Sequence, residues 1–273
     1  RYNKPSHPIH DTRLGCVEVM DDTAIARGDG AVLVLPTFNE IENLDTFIRK
    51  VRASAPLMHI LIVDDNSPDG TGTLADSLAT ELGNMHVLHR SNERGLGSAY
   101  RTGFRHVLSA SFDRVITMDA DFSHDPAMIP QFLSALGNGS HIVVGSRYCV
   151  GGSIVNWPLH RKLLSKWGNA YTRRMLKINI SDCTTGYRGY TAQSLRAIET
   201  ENVLGDGYVF LSTILKRASE ERLQITEVPI RFLERELGTS KMSWKIVGES
   251  MMLVTFFGVR RNLRKFVRPA RGK

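Results

Sequence analysis

Cysteine is scarce in this chain: Cys16, Cys149 and Cys183 are the only three in 273 residues, and they lie far apart. An odd count without close spacing excludes a disulfide framework and a cysteine metal knuckle. It suits a reducing, cytosol-facing compartment. Long apolar runs are also missing. Nothing approaches the ~18–20 residues that span a bilayer, and the best stretch, 251–259, is about half that length. No signal peptide is visible, although a chain that begins at Arg1 suits a piece of a longer membrane protein. Repeats, low-complexity linkers and a Gly-x-Ser-x-Gly elbow are absent, which removes solenoids, linker-joined modules and the serine-hydrolase elbow. No zinc-finger spacing or RNA-binding aromatic signature accompanies the basic charge, so nucleic acid is not an expected partner.

The net charge of +7 is concentrated. Six basic residues and no acid lie in 158–177, and seven more and no acid lie in 260–273. Basic charge beside Leu163, Leu164, Trp167, Phe256 and Phe257 suits an anionic membrane surface or phosphate ligands.

Elements alternate along the first half. Ala31-Val-Leu-Val-Leu35 reads as a buried strand stopped by Pro36, and Asn39 is placed to cap a helix over 40–54. His59-Ile-Leu-Ile-Val63 is a second strand, followed by a helix over 71–82. Strand, helix, strand, helix and strand continue over 85–88, 97–110, 114–118, 126–136 and 141–144. Strands alternating with helices of this length predict an α/β domain, a mostly parallel sheet with helices on both faces. Further on, 159–176 reads as a basic amphipathic helix, 224–231 as a strand, and 250–259 as a second surface helix. Residues 1–30 show no periodicity. The expected organisation is an extension (1–30), one catalytic domain (31–245) and a basic amphipathic C-terminal segment (246–273).

Chemistry gathers where strands end. Val115-Ile-Thr-Met-Asp119-Ala-Asp121 expels two carboxylates at i and i+2 of an extended segment, so both can face one hard cation. Pro36-Thr-Phe38-Asn-Glu40 closes the first strand with a flat ring suited to a base. Val63-Asp-Asp65-Asn-Ser-Pro-Asp-Gly closes the second, with carboxylates that accept from ribose hydroxyls or base amino groups. Its partial match to an EF-hand loop fails on Pro68 and on the missing terminal glutamate. Arg94-Gly-Leu-Gly97 lacks the third glycine of a dinucleotide fingerprint and reads as a tight loop beside the pocket. His124, beside the aspartates, reads as a surface histidine, with a supporting role behind those carboxylates as the alternative. Three carboxylate clusters on one sheet edge favour a metal-assisted nucleotide-sugar site.

These motifs, with Gly145-Ser-Arg147-Tyr and Asp182-Cys-Thr-Thr-Gly-Tyr-Arg188, resemble the dolichyl-phosphate (polyprenyl-phosphate) mannose synthases over about 31–241. The resemblance implies a GT-A, Rossmann-like fold of family 2, with C-terminal amphipathic interface helices. It implies inverting transfer of mannose from GDP-mannose to a polyprenyl or dolichyl monophosphate with Mg2+ or Mn2+. It further implies that Pro36, Phe38, Glu40, Val63 and Asp65 hold the guanosine, and that Asp119, Ala120 and Asp121 hold diphosphate, ribose and metal. Asp119 and Asp121 would be the metal ligands, and Asp121 and Arg147 the residues most directly tied to catalysis. Arg147, Arg161 and Ser165 match acceptor-phosphate contacts, and Arg235 and Lys241 a loop over the donor. Ser123 stands where some members carry a metal-binding glutamine, and Phe38 where many carry tyrosine. The implied location is the cytosolic face of a membrane, plasma membrane in a bacterium or endoplasmic reticulum in a eukaryote. The implied partners include the membrane surface and a separate membrane-anchoring subunit or domain. A UDP-sugar donor stays open, because one sequence does not rank the residues that separate guanine from uracil. A non-catalytic basic protein is the other rival, and it would have no use for acids at strand ends.

Overall fold

A computed structural model describes residues 22–91, 95–203, 205, 207–234, 248 and 251–258. Cys16, Arg94, Arg235, Lys241 and the basic segment 260–273 lie outside the described residues. In chain order the elements are α1 (Asp22–Ala26), β1 (Ala31–Thr37), α2 (Ile41–Ser54), β2 (His59–Asp64), α3 (Thr71–Leu82) and β3 (Met85–His89). Next come α4 (Leu96–Ser109), β4 (Arg114–Thr117), α5 (Ile129–Gly137), β5 (Ile142–Ser146), β6 (Ser153–Ile154) and α6 (Leu159–Leu176). The last are β7 (Arg188–Thr191), α7 (Ala192–Ile198), α8 (Gly207–Glu220), β8 (Ile225–Pro229) and β9 (Arg231–Phe232).

Seven strands form one sheet in the order β3-β2-β1-β4-β7-β5-β8, and β6 pairs with β9 apart from it. β1, β2, β3 and β4 run parallel, and the inner residues of β1, β2 and β4 are buried between helices on both faces. β7 is antiparallel to both of its neighbours. Its start therefore lies at the edge where β1, β2, β4 and β5 end, and so does the motif that precedes it. Sequence periodicity finds no element before residue 31, yet α1 is there and its Ile25 is buried in the core beside the α5 side chains.

The first two motifs hold each other. Asn39 does not cap α2; it takes a left-handed φ of 55°, which asparagine tolerates. The first N–H groups come from Glu40 and Ile41, and they donate to Thr71 Oγ1 (2.9 Å) and Asp69 Oδ2 (3.2 Å). Asn39 N–H donates to Ser67 Oγ (3.1 Å). The hydrogen-bonding side chains of the second loop thus cap the helix that follows the first.

α6 docks through Asn169, Thr172 and Leu176. Its larger apolar residues therefore turn outward: Leu159 is 71% exposed, Leu163 59% and Trp167 58%. Helical residues 251–258 pack on it, with Tyr171 Oη and Thr255 Oγ1 2.7 Å apart, and leave Met252 and Phe256 exposed. Among the described residues no helix is long and apolar enough to cross a membrane.

Candidate active site

At the carboxyl edge of β1 and β2, Pro36, Thr37, Phe38 and Asp65 line a pocket with Gly95, Leu96 and Ala99. Asp65 is not a loose carboxylate. Arg90, one residue past β3, donates to Asp65 Oδ1 through Nε (2.7 Å) and through Nη2, and Gly95 N–H donates to Oδ2 (3.1 Å). The arginine also reaches Ser98 Oγ (2.8 Å). It fixes the carboxylate and the glycine loop together, which makes it a positioning residue for the pocket. Glu40 sits at the start of α2 and accepts from Asn43 Nδ2 (3.4 Å). Val63 is fully buried in the core, so backbone is what it has to offer a ligand.

Beyond β4, Asp119 is partly exposed, whereas Ala120 and Asp121 are buried. Asp121 Oδ1 accepts Ser123 N–H (3.0 Å). His124 is buried, not a surface residue. It packs between the rings of Tyr187 and Phe232, and its Nδ1 lies 3.4 Å from Asp119 N and 3.9 Å from Asp119 Oδ2. Gly186 faces the same carboxylate, since a Cβ there would lie 3.4 Å from Asp119 Oδ1. Among the described residues no third His, Cys, Asp or Glu completes a metal cage. Two hard oxygen donors that leave coordination positions open fit a divalent cation shared with a diphosphate.

The loop 181–186 is pinned on every side. Ser181 and Asp182 N–H groups donate to Glu227 (2.8 and 3.1 Å), and Cys183 N–H donates to Asn169 Oδ1 (2.9 Å). Arg188 is fully buried, and its guanidinium donates to the carbonyls of Thr185, Leu211 and Cys183. Burial pushes the Cys183 thiol up to about 12, which removes it as a nucleophile. Asp182 takes Arg147 side on, from Nε at 2.7 Å and Nη2 at 2.9 Å, and Arg147 also reaches Thr184 Oγ1 (2.7 Å). Burial alone would raise the Asp182 carboxyl. The Arg147 charge and hydrogen bonds outweigh it and hold the group below its ordinary value.

Arg147, Arg161, Ser165 and Thr184 line a second pocket whose remaining walls include Leu164, Trp167, Met251 and Val254. Ser165 Oγ pairs with Tyr148 Oη (2.7 Å). Arg161 stacks over Trp157 at 4.0 Å. The structure therefore brings Pro36, Phe38 and Asp65 to one pocket and Arg147, Arg161 and Ser165 to another. Loop 181–186 runs from Thr184 in the arginine pocket to Gly186 beside Asp119. Sequence reasoning missed Arg90, Asp182, Trp157 and Phe232 as functional residues. Arg90 follows a strand end, the same signal that exposed the acids, and Asp182 opens a motif whose resemblance gave it no role.

A doubly wound sheet with one antiparallel insertion and an acidic carboxyl edge defines a GT-A glycosyltransferase. The chain belongs to glycosyl transferase family 2, whose sequence profile matches residues 32–199. It is 46% identical to an undecaprenyl-phosphate mannosyltransferase of Micrococcus luteus, over 83% of this chain and 93% of that one. It is 41% identical to a polyprenol monophosphomannose synthase of Mycolicibacterium smegmatis, over 89% and 92%. Among solved structures it resembles glucosyl-3-phosphoglycerate synthase from Mycobacterium tuberculosis, crystallised with Mn2+, UDP and glucosyl-3-phosphoglycerate. That match has a TM-score of 0.62 at 18% identity and covers 96% of this chain and 86% of the other. It speaks for the fold.

Proposed function

We propose that this chain transfers mannose from GDP-mannose to a polyprenyl monophosphate, with inversion, at the cytosolic face of a membrane. The observation that carries this reading is a pocket lined by Phe38 and Asp65 at the carboxyl edge of β1 and β2, together with an apolar pocket that holds Arg147, Arg161 and Ser165. The names of the two relatives support the sugar and the acceptor class. Phe38 stacks on the base, and Asp65, set by Arg90 and the loop glycine, accepts from it. Asp119 and Asp121 would hold Mg2+ or Mn2+, which when bound would supply positive charge to the departing diphosphate. A phosphate monoester has its second pKa at about 6 and is largely dianionic near neutral pH. It needs no strong general base. Arg147, Arg161 and Ser165 receive it and offset the repulsion between two anionic substrates. Arg235 and Lys241 complete the donor side.

A thermal-shift comparison with Mn2+ tests the donor. GDP-mannose should raise the melting temperature more than UDP-glucose, and the reverse order favours the UDP-sugar alternative.

The membrane part rests on the outward Leu159, Leu163, Trp167, Met252 and Phe256 beside basic charge. Each basic residue near an anionic surface contributes about 1 kcal/mol, a salt-sensitive attraction, whereas apolar insertion resists salt. The chain should sediment with anionic liposomes at low salt, and high salt should weaken this binding without abolishing it. No binding at low salt would make these faces docking sites for a separate membrane subunit or domain.

A further inference from the structure

Strand β9 sets Phe232 against both His124 and Trp157, and the chain just past it brings a carboxylate to Arg161. Its backbone is pinned on both sides: Val155 N–H donates to Phe232 O (2.9 Å), and Leu233 N–H donates to Ser123 O (3.3 Å). Phe232 meets Trp157 edge-on at 5.4 Å and His124 at 5.3 Å. Trp157 in turn is the platform under Arg161. From this fixed strand Glu234 Oε1 reaches Arg161 Nη1 at 2.7 Å, in a pair whose side chains are 30% and 41% exposed.

From this geometry we infer that Glu234 competes with the acceptor's phosphate for the Arg161 guanidinium and thereby sets acceptor affinity. The inference rests on the reading that Arg161 contacts that phosphate. An ion pair this exposed is screened and weak, and a phosphate engages the planar guanidinium fork with more charge and more oxygens than a carboxylate. The dianionic acceptor therefore displaces Glu234. Transfer converts the monoester into a sugar phosphodiester with a single charge, against which the carboxylate competes better. Glu234 thus discriminates substrate from product by charge and favours product release.

The test is steady-state kinetics with a short-chain polyprenyl monophosphate and GDP-mannose. Glu234→Gln should lower the acceptor KM about two- to fivefold, leave the donor KM unchanged and strengthen inhibition by the lipid product. Glu234→Asp keeps the charge and should stay closer to the parent. In an Arg161→Ala background Glu234→Gln should change nothing. An acceptor KM that is unchanged or raised by Glu234→Gln, while Arg161→Ala alone raises it, overturns the competition and leaves the acceptor assignment standing. An acceptor KM that Arg161→Ala does not move removes the premise itself, and the inference falls with it.

Discussion

Asp121→Ala should lower transfer by at least about a hundredfold and abolish the Mn2+-dependent part of donor binding. A bound cation stabilises developing charge on the leaving diphosphate by several kcal/mol, and each 1.36 kcal/mol is about tenfold in rate. Stability should change far less. Asp121 is buried and accepts the Ser123 N–H, a hydrogen bond whose loss costs about 1 kcal/mol. Metal-dependent binding and stability can be read from one thermal melt with and without Mn2+. Near-parental transfer by Asp121→Ala would remove the metal assignment.

Arg147→Ala should do two kinds of damage. Its guanidinium is almost wholly buried against a fully buried Asp182, so truncation strands a charge and costs about 3–5 kcal/mol of stability. It should also remove the proposed charge-assisted contact with the acceptor phosphate, of about 1.5–3 kcal/mol, about tenfold or more in transfer at subsaturating acceptor. Arg161→Ala removes the second kind of contact with little loss of stability, because its pair with Glu234 is exposed. The double variant Arg147→Met, Asp182→Leu separates the effects: stability should largely return, since a buried pair replaced by apolar groups is often neutral, but transfer should not. Recovery of transfer in that variant would make Arg147 a structural residue alone. The pair also carries a pH signature. The folded Asp182 carboxyl lies below its ordinary value of 3.8, so its contribution is present above that pH and is lost as pH falls through the folded value. Asp182→Leu in the double variant should flatten that acid limb of a stability profile.

The parallel part of the sheet was legible because β1, β2, β4 and β5 are short apolar runs buried on both faces, and such runs announce themselves. α6 was legible over 159–176 from its apolar and basic residues at helical spacing. β7 was not. Arg-Gly-Tyr-Thr has no strand signature, because Arg188 satisfies its buried charge on three carbonyls and Gly189 leaves room for Leu136 and Ile116. Both exceptions depend on contacts that local periodicity does not contain, the Leu211 carbonyl and the Leu136 and Ile116 side chains among them. The same holds at the site. Strand-end carboxylates are visible in sequence, as the positions of Asp65, Asp119 and Asp121 illustrate. The hold of Arg90 on Asp65 depends on which strand lies next to which, whereas His124 reaches Asp119 from within the same loop. Asn39 shows the limit from the other side: a good capping residue yields when Asp69 and Thr71 from a neighbouring loop take the helix N-terminus.

The most direct measurement is a transfer assay on the protein with anionic liposomes carrying a polyprenyl monophosphate, Mn2+, and labelled GDP-mannose or UDP-glucose. The expected result is labelled mannose in the lipid fraction, dependent on both the metal and the phosphorylated lipid, with no comparable product from UDP-glucose. Label entering the lipid from UDP-glucose but not from GDP-mannose, or no lipid-linked sugar from either donor, would contradict mannose transfer to a polyprenyl phosphate.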